Sequence, residues 1–218
     1  MRLKILILFL LPLLVLPMQA QHKIEVTASV GTGELSPNGL ESVTCNLQDK
    51  FHQRNSVGIN GAGLCVFASM KHAGTWQDDP LFVAIFDFMK SHLGGGYPSK
   101  VDEMLQKASV KYNLPIPDYI QVEDSNIDIL KVACKCRYMP CVTYGVSPTG
   151  RYNGRSIAHM VNIVHASDSW FCVLDNNYPG ISNYEWMTPD EFKRSYTKTG
   201  GGWCIILMTT PTPPNARN

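Results

Sequence analysis

NGAGLCVFASMKHAG, residues 60–74, is the stretch on which the fold and the chemistry both turn. Glycines at 58, 61 and 63 make a loop, and from Leu64 a run of apolar and small residues takes on helical spacing that Gly74 is placed to end. Cys65 therefore falls on the first turn of a helix. The leading N–H groups of a helix have no partner within it, and the macrodipole favours negative charge there. A thiol in that position is biased toward thiolate, the form that attacks carbonyl carbon. A cysteine on an apolar helix is as readily a core residue, so position alone leaves both roles open.

Further along, HMVNIVH (159–165) follows a loop containing Gly and Asn and begins an apolar strand, with His159 at its start. The next strand, WFCVLDNN (170–177), ends in Asp175 and Asn176. A tight turn at 166–169 makes the two strands antiparallel neighbours and brings the end of the second near the start of the first. Asp175 or Asn176 is thus expected beside His159, as the acceptor that orients an imidazole. His165, six residues on, is placed by spacing on the same strand face and is read as structural. His52, His72 and His92 are read as solvated or satisfied locally.

The rest of the chain frames these elements. Asp79-Pro80 opens a helix over 81–93 that Gly94, Gly95 and Gly96 stop. Ser99 and Asp102 form a capping-box pattern for a helix over 101–114, which Pro115 and Pro117 prevent from extending. A further helix is expected at about 125–136. Strands follow at 141–146, 159–165, 170–174 and 203–208, and Thr188 with Pro189 starts a short helix, TPDEFKRSY, before the last of them. Helices first and an antiparallel sheet afterwards make an α+β layout.

Residues 1–20 (MRLKILILFLLPLLVLPMQA) have basic Arg2 and Lys4, an apolar run, and the small residue Ala20, the order of a secretory signal. The run is interrupted by Pro12 and Pro17 and is short for a membrane span of about 20 residues. A secreted or periplasmic chain without a stable membrane anchor is expected, cut after Ala20. The divisions read as a signal at 1–20, an N-terminal segment at 21–56 that is either a propeptide or a wrapping arm, one domain at 57–210, and a tail at 211–218. The chain has 218 residues with 19 Lys and Arg against 18 Asp and Glu, and losing Arg2 and Lys4 leaves one acidic residue in excess. Such a balance offers no basic field for nucleic acid.

Seven cysteines are present, and an exported chain permits disulfides. The odd number leaves at least one thiol unpaired within the chain. Cys172 and Cys204 fall on strands expected to be neighbours and are candidates to pair. Cys134, Cys136 and Cys141 lack the paired C-x2-C spacing of common zinc sites, so no metal and no other cofactor is expected.

The order of helix-borne Cys65, strand-borne His159 and Asp175 or Asn176 at the next strand end resembles the papain-like cysteine peptidase superfamily, including its bacterial double-glycine-peptidase relatives. NGAGLCVFASM resembles the family's nucleophile segment, and GGGYPSKVDEM (94–104) its Gly-Gly-Tyr-Pro stretch. Asn60 stands one position nearer the cysteine than the family's Gln, Val66 stands where an aromatic is usual, and DNNYPG (175–180) replaces the Asn-Ser-Trp-Gly signature. The resemblance implies a papain-like α+β fold with the nucleophile helix packed on the sheet, and hydrolysis of peptide amides through a thioester. It assigns attack to Cys65, proton transfer to His159, orientation to Asp175 or Asn176, the oxyanion to Asn60 with the Cys65 N–H, and an extended substrate backbone to Gly95 or Gly96. The expected partner is a peptide or protein substrate, and a monomer is expected. A transglutaminase-like amide transferase shares the same order of residues, and a catalytically inactive binding domain shares the same scaffold.

Overall fold

The computed structural model describes residues 33–55, 63–178 and 184–216. The leader and its cleavage point, Asn60, and the chain end lie outside these. Among the described residues, no helix is long and apolar enough to cross a membrane.

Three helices come first: α1 (Cys65–Gln77), α2 (Pro80–Met89) and α3 (Pro98–Tyr112). They are followed by β1 (Tyr119–Val122), α4 (Asp128–Lys135), β2 (Cys141–Tyr144), β3 (His159–Ala166), β4 (Phe171–Leu174), β5 (Tyr184–Met187), α5 (Pro189–Thr197) and β6 (Cys204–Leu207). All six strands form one antiparallel sheet in the order β1-β6-β2-β3-β4-β5. This is the expected α+β arrangement, with α1 packed on β3 and α2 on α1.

Several local expectations are corrected. Gly74 does not end α1, because it sits where α2 crosses: a Cβ there would lie 2.6 Å from that of Phe82. The helix runs on to a left-handed C-cap at Asp78, φ 59°. Helix α3 begins at Pro98 with Tyr97 as N-cap and no side-chain cap. Asp102, expected to close a capping box with Ser99, instead accepts from Tyr119 Oη at 2.6 Å and Gln121 Nε2 at 2.7 Å on β1. The caps at the other two helices are as expected: Asp79 accepts from the Phe82 N–H, and Thr188 with Glu191 makes a full capping box. Strands β1 and β5 were not anticipated, being four residues each with mixed polarity.

Cysteines 172 and 204 do not pair. Strands β2 and β3 lie between β4 and β6, a separation of roughly 14 Å at about 4.8 Å per strand, twice the Cα reach of a disulfide. All seven cysteines stand as free thiols; Cys136 is exposed and the rest are buried.

Residues 33–55 wrap the sheet. Cys45 and Leu47 are buried in the core, Tyr184 Oη donates to Asn46 Oδ1 at 3.0 Å, and Trp186 Nε1 donates to the Gly33 carbonyl at 2.6 Å. The arm also docks on an irregularity in β3. The pairs Ala166 with Phe171 and His165 with Cys172 step to Ile163 with Val173 and Asn162 with Leu174, leaving Val164 as an extra residue. The N–H groups of Thr44 and Cys45 both donate to the Val164 carbonyl, at 3.0 and 2.8 Å.

Candidate active site

Cys65 is the first residue of α1, and Gly63 prepares that start with φ 83°. A side chain at Gly63 would put its Cβ 2.3 Å from Gly95 Cα, and one at Gly96 would put its Cβ 2.3 Å from Val66 Cγ2. The glycine strip at 94–96 therefore lies directly against the helix start. Val66, next to the cysteine, sits at a distance that only glycine across from it permits.

His159 opens β3 opposite Tyr144 of β2. Its Nε2 meets Asp175 Oδ1 at 2.9 Å, which leaves Nδ1 for the thiol. The Cys65 side chain hydrogen-bonds to His159, and the N–H groups of Met160 and Val66 also point to the sulfur. Burial alone would push the Cys65 thiol up, but the imidazole and these two N–H groups bring it below its ordinary value. Burial likewise opposes the imidazolium, yet the hydrogen bond that His159 donates to Asp175 and the contact with Cys65 raise His159 to about 9. Asp175, buried completely, would rise by desolvation but is held below the usual carboxylate range, first by His159 and then by Tyr152. Thiol, imidazole and carboxylate thus stand in series, and the charged form of each favours the charged form of the next.

The extra residue Val164 decides which acceptor His159 meets. Side chains alternate between sheet faces, and one inserted residue reverses the alternation on one strand relative to its partner. With it, His159 shares a face with Asp175. Were the register at Ala166 and His165 carried through unbroken, His159 would face with Leu174 and Asn176. His165 is for the same reason on the face opposite His159, correcting the expectation from spacing. It bonds Glu41 Oε2 at 2.7 Å and Thr44 Oγ1 at 2.8 Å in the arm and lies 5.1 Å from the Trp186 ring.

Asn176, held as an alternative orienter, points elsewhere. Its Nδ2 donates toward the Cys65 carbonyl at 3.1 Å, Ser69 Oγ at 2.9 Å and the Met160 carbonyl at 2.9 Å. It ties α1 to β3 and does not accept from His159. Beneath it, His72 is buried, contrary to its reading as solvated or locally satisfied. Its Nε2 accepts from the Gln53 N–H at 2.6 Å and its Nδ1 donates to Asn162 Oδ1 at 3.0 Å, while Asn162 Nδ2 donates to the Ser69 carbonyl at 3.0 Å. Desolvation holds this ring neutral, lowered to about 3.

A cleft of about 390 Å³ opens on the cysteine and histidine. Gly95, Gly96 and Tyr97 form one part of its lining and Met160, Thr143 and Trp203 another, with exposed Glu123 at the edge. Both glycines proposed from sequence therefore reach the cleft, whereas Asn60 lies outside the described residues. Cys134 and Cys141 are buried and Cys136 is exposed, and among the described residues no group of three His, Cys, Asp or Glu side chains could hold a metal ion.

Residues not anticipated from sequence surround Asp175. Tyr152 Oη donates to Asp175 Oδ2 at 2.7 Å, the Asn177 N–H donates to Oδ1 at 2.9 Å, and Arg151 Nη1 stands 3.9 Å from Oδ2. The Tyr152 ring lies 6.1 Å from that of His159, edge to face. Glu185 of β5, completely buried, completes this cluster.

No protein-family model matches the chain, and no curated protein matches it. Among solved structures, a Bacillus anthracis protein provisionally described as a C39-like peptidase superimposes with a TM-score of 0.37 at 14% sequence identity, covering 54% of this chain and 62% of that one. The chain thus matches less than two thirds of that protein's length, and a superposition of this extent leaves function to be judged from the site itself.

Proposed function

We propose that the chain is a papain-like cysteine peptidase in which Cys65, His159 and Asp175 act as nucleophile, general acid–base and orienter. The observation that carries the reading is the series from the buried thiol through the imidazole to the Asp175 carboxylate, opening on the cleft beside Gly95 and Gly96. In this mechanism the Cys65 thiolate attacks the carbonyl carbon of a peptide bond. His159, holding the proton taken from the thiol, delivers it to the leaving amine as the C–N bond breaks. Water then attacks the thioester, giving a proton to His159, and the thiol is restored when the acid leaves. The N–H groups at the start of α1 are suited to the oxyanion, and a substrate backbone is read as running along the glycine strip. Export by the leader at 1–20 is part of the same reading.

The test is turnover of a broad peptide library by the wild type and by Cys65→Ala, with melting curves for both. Hydrolysis by the wild type and none by a folded Cys65→Ala is expected. Equal turnover by the two, or none by the wild type, overturns the peptidase reading.

A further inference from the structure

Cys45 lies on the N-terminal arm with its backbone and its side chain committed to different elements. Its N–H donates to the Val164 carbonyl of β3 at 2.8 Å. Its Sγ reaches the turn that closes α4, 3.6 Å from the Arg137 carbonyl and 3.5 Å from that of Tyr138. Arg137 bends that turn back with φ 65°, and its N–H donates to the Cys134 carbonyl at 2.9 Å. Cys134, in the last turn of α4, is thereby brought to the arm, and its side chain hydrogen-bonds with the Cys45 thiol. Both residues are buried. The other buried thiols outside the cleft are not placed this way. Cys141 of β2 stands opposite Ile205 and Cys204 of β6 opposite Val142, so the two are one position out of step and their side chains leave the sheet on opposite faces. Cys172 of β4 is coupled to Cys134 by charge and not by a hydrogen bond.

We propose that Cys45 and Cys134 are a disulfide-forming pair whose cross-link fastens the N-terminal arm to α4. The oxidant is a disulfide of another molecule, a small thiol or an oxidoreductase. One cysteine thiolate attacks a sulfur of that disulfide and expels the first thiolate; the second cysteine thiolate then attacks the mixed disulfide, forms the Cys45–Cys134 bond and expels the other. The pair loses two electrons and two protons, and the oxidant ends as two thiols. The contact with Cys134 and burial push the Cys45 thiol up, and exchange requires thiolate, so the bond closes as the arm docks during folding and is shielded from exchange afterwards. It spans about 90 residues of chain, a long loop whose closure takes much freedom from the unfolded state. Because the Cys45 N–H also holds the Val164 carbonyl, the cross-link fixes the arm where it meets the extra residue of β3. The bond does not depend on the peptidase reading, and it suits a compartment in which disulfides persist.

The experiment refolds the reduced, denatured full chain in a mixture of reduced and oxidised glutathione, blocks the remaining thiols with iodoacetamide, and maps the peptides by mass spectrometry without reduction. A peptide joining Cys45 to Cys134 is expected in most chains, with Cys141 and Cys204 alkylated. The melting temperature of this sample should fall by on the order of 10 °C when reductant is added, and the same addition should leave Cys134→Ala within about 2 °C. Recovery of both Cys45 and Cys134 in alkylated form overturns the proposal, as does a bond from either of them to Cys172, or a fall of equal size in Cys134→Ala. Should the chain not refold, the natively isolated protein is held with oxidised glutathione in urea below its unfolding midpoint, so that the arm opens, and is mapped in the same way. The joined peptide supports the pair there too, and alkylated Cys45 and Cys134 overturn it.

Discussion

The two ends of β3 carry the same pair of groups with opposite outcomes. At one end His159 Nε2 meets Asp175 at 2.9 Å, and at the other His165 Nε2 meets Glu41 at 2.7 Å. Both second nitrogens are also engaged, the first with a thiol at a helix start and the second with the Thr44 hydroxyl. An imidazole on a carboxylate is therefore not by itself a catalytic device. What distinguishes His159 is a thiol on its other side and a cleft in front, whereas His165 fastens the N-terminal arm to the sheet.

The comparison breaks most sharply with substitutions at the two rings. His159→Ala should reduce peptide turnover by at least about a thousandfold, as loss of the base of a nucleophile pair does, while His165→Ala should leave kcat within about twofold. Equal losses, measured by initial rates on one substrate, would refute the distinction. Next in size, Asp175→Asn should lower kcat on the order of 100-fold or more by disturbing the ring's orientation and charge. Asn176→Ala should instead act mainly on stability, by about 2–3 kcal/mol in denaturant unfolding, because it strips buried carbonyls of their donor. A larger kinetic effect at Asn176 than at Asp175 would reverse these roles.

The pH dependence sharpens the contrast further. His159 is raised from 6.5 to about 9 in the folded chain, so its contribution is fully present below pH 6.5 and is lost as pH rises through about 9. Cys65 is lowered from 9.0, so its contribution is present above that value and is lost as pH falls through its folded value. The reactive ion pair should therefore exist above the lowered value of Cys65 and up to about pH 9. Melting temperatures of wild type and His159→Gln should converge between pH 6.5 and 9, and a constant difference would contradict the assignment. The smallest effect is expected at the arm: His165→Gln should cost about 1 kcal/mol of stability.

The sequence made the helix start at Cys65, the strand start at His159 and the capped helix at Thr188 readable because each is written in local chemistry: a glycine turn, an apolar run, a Thr-Pro-x-Glu cap. Asp175 and Asn176 could not be separated, since the choice depends on register, and register depends on Val164. An Ile-Val pair inside an apolar strand carries no local mark of a bulge. The Arg151, Tyr152 and Glu185 cluster was hidden for a related reason: its members lie on a loop and on a strand 33 or more residues apart, joined only by the tertiary fold. Gly74 misled because a close helix crossing and a helix stop both call for glycine.

Val164 gives the sheet something like a reading frame. A single codon gained or lost between Ile163 and His165 would exchange the two faces of β3 on one side of the event, offering His159 an amide in place of a carboxylate, or the reverse, without altering any residue of the site. A lineage could thus swap its third residue by an in-frame indel far from the cleft. The arm's two N–H groups on the Val164 carbonyl would be the feature that keeps such an event from passing unnoticed by the fold.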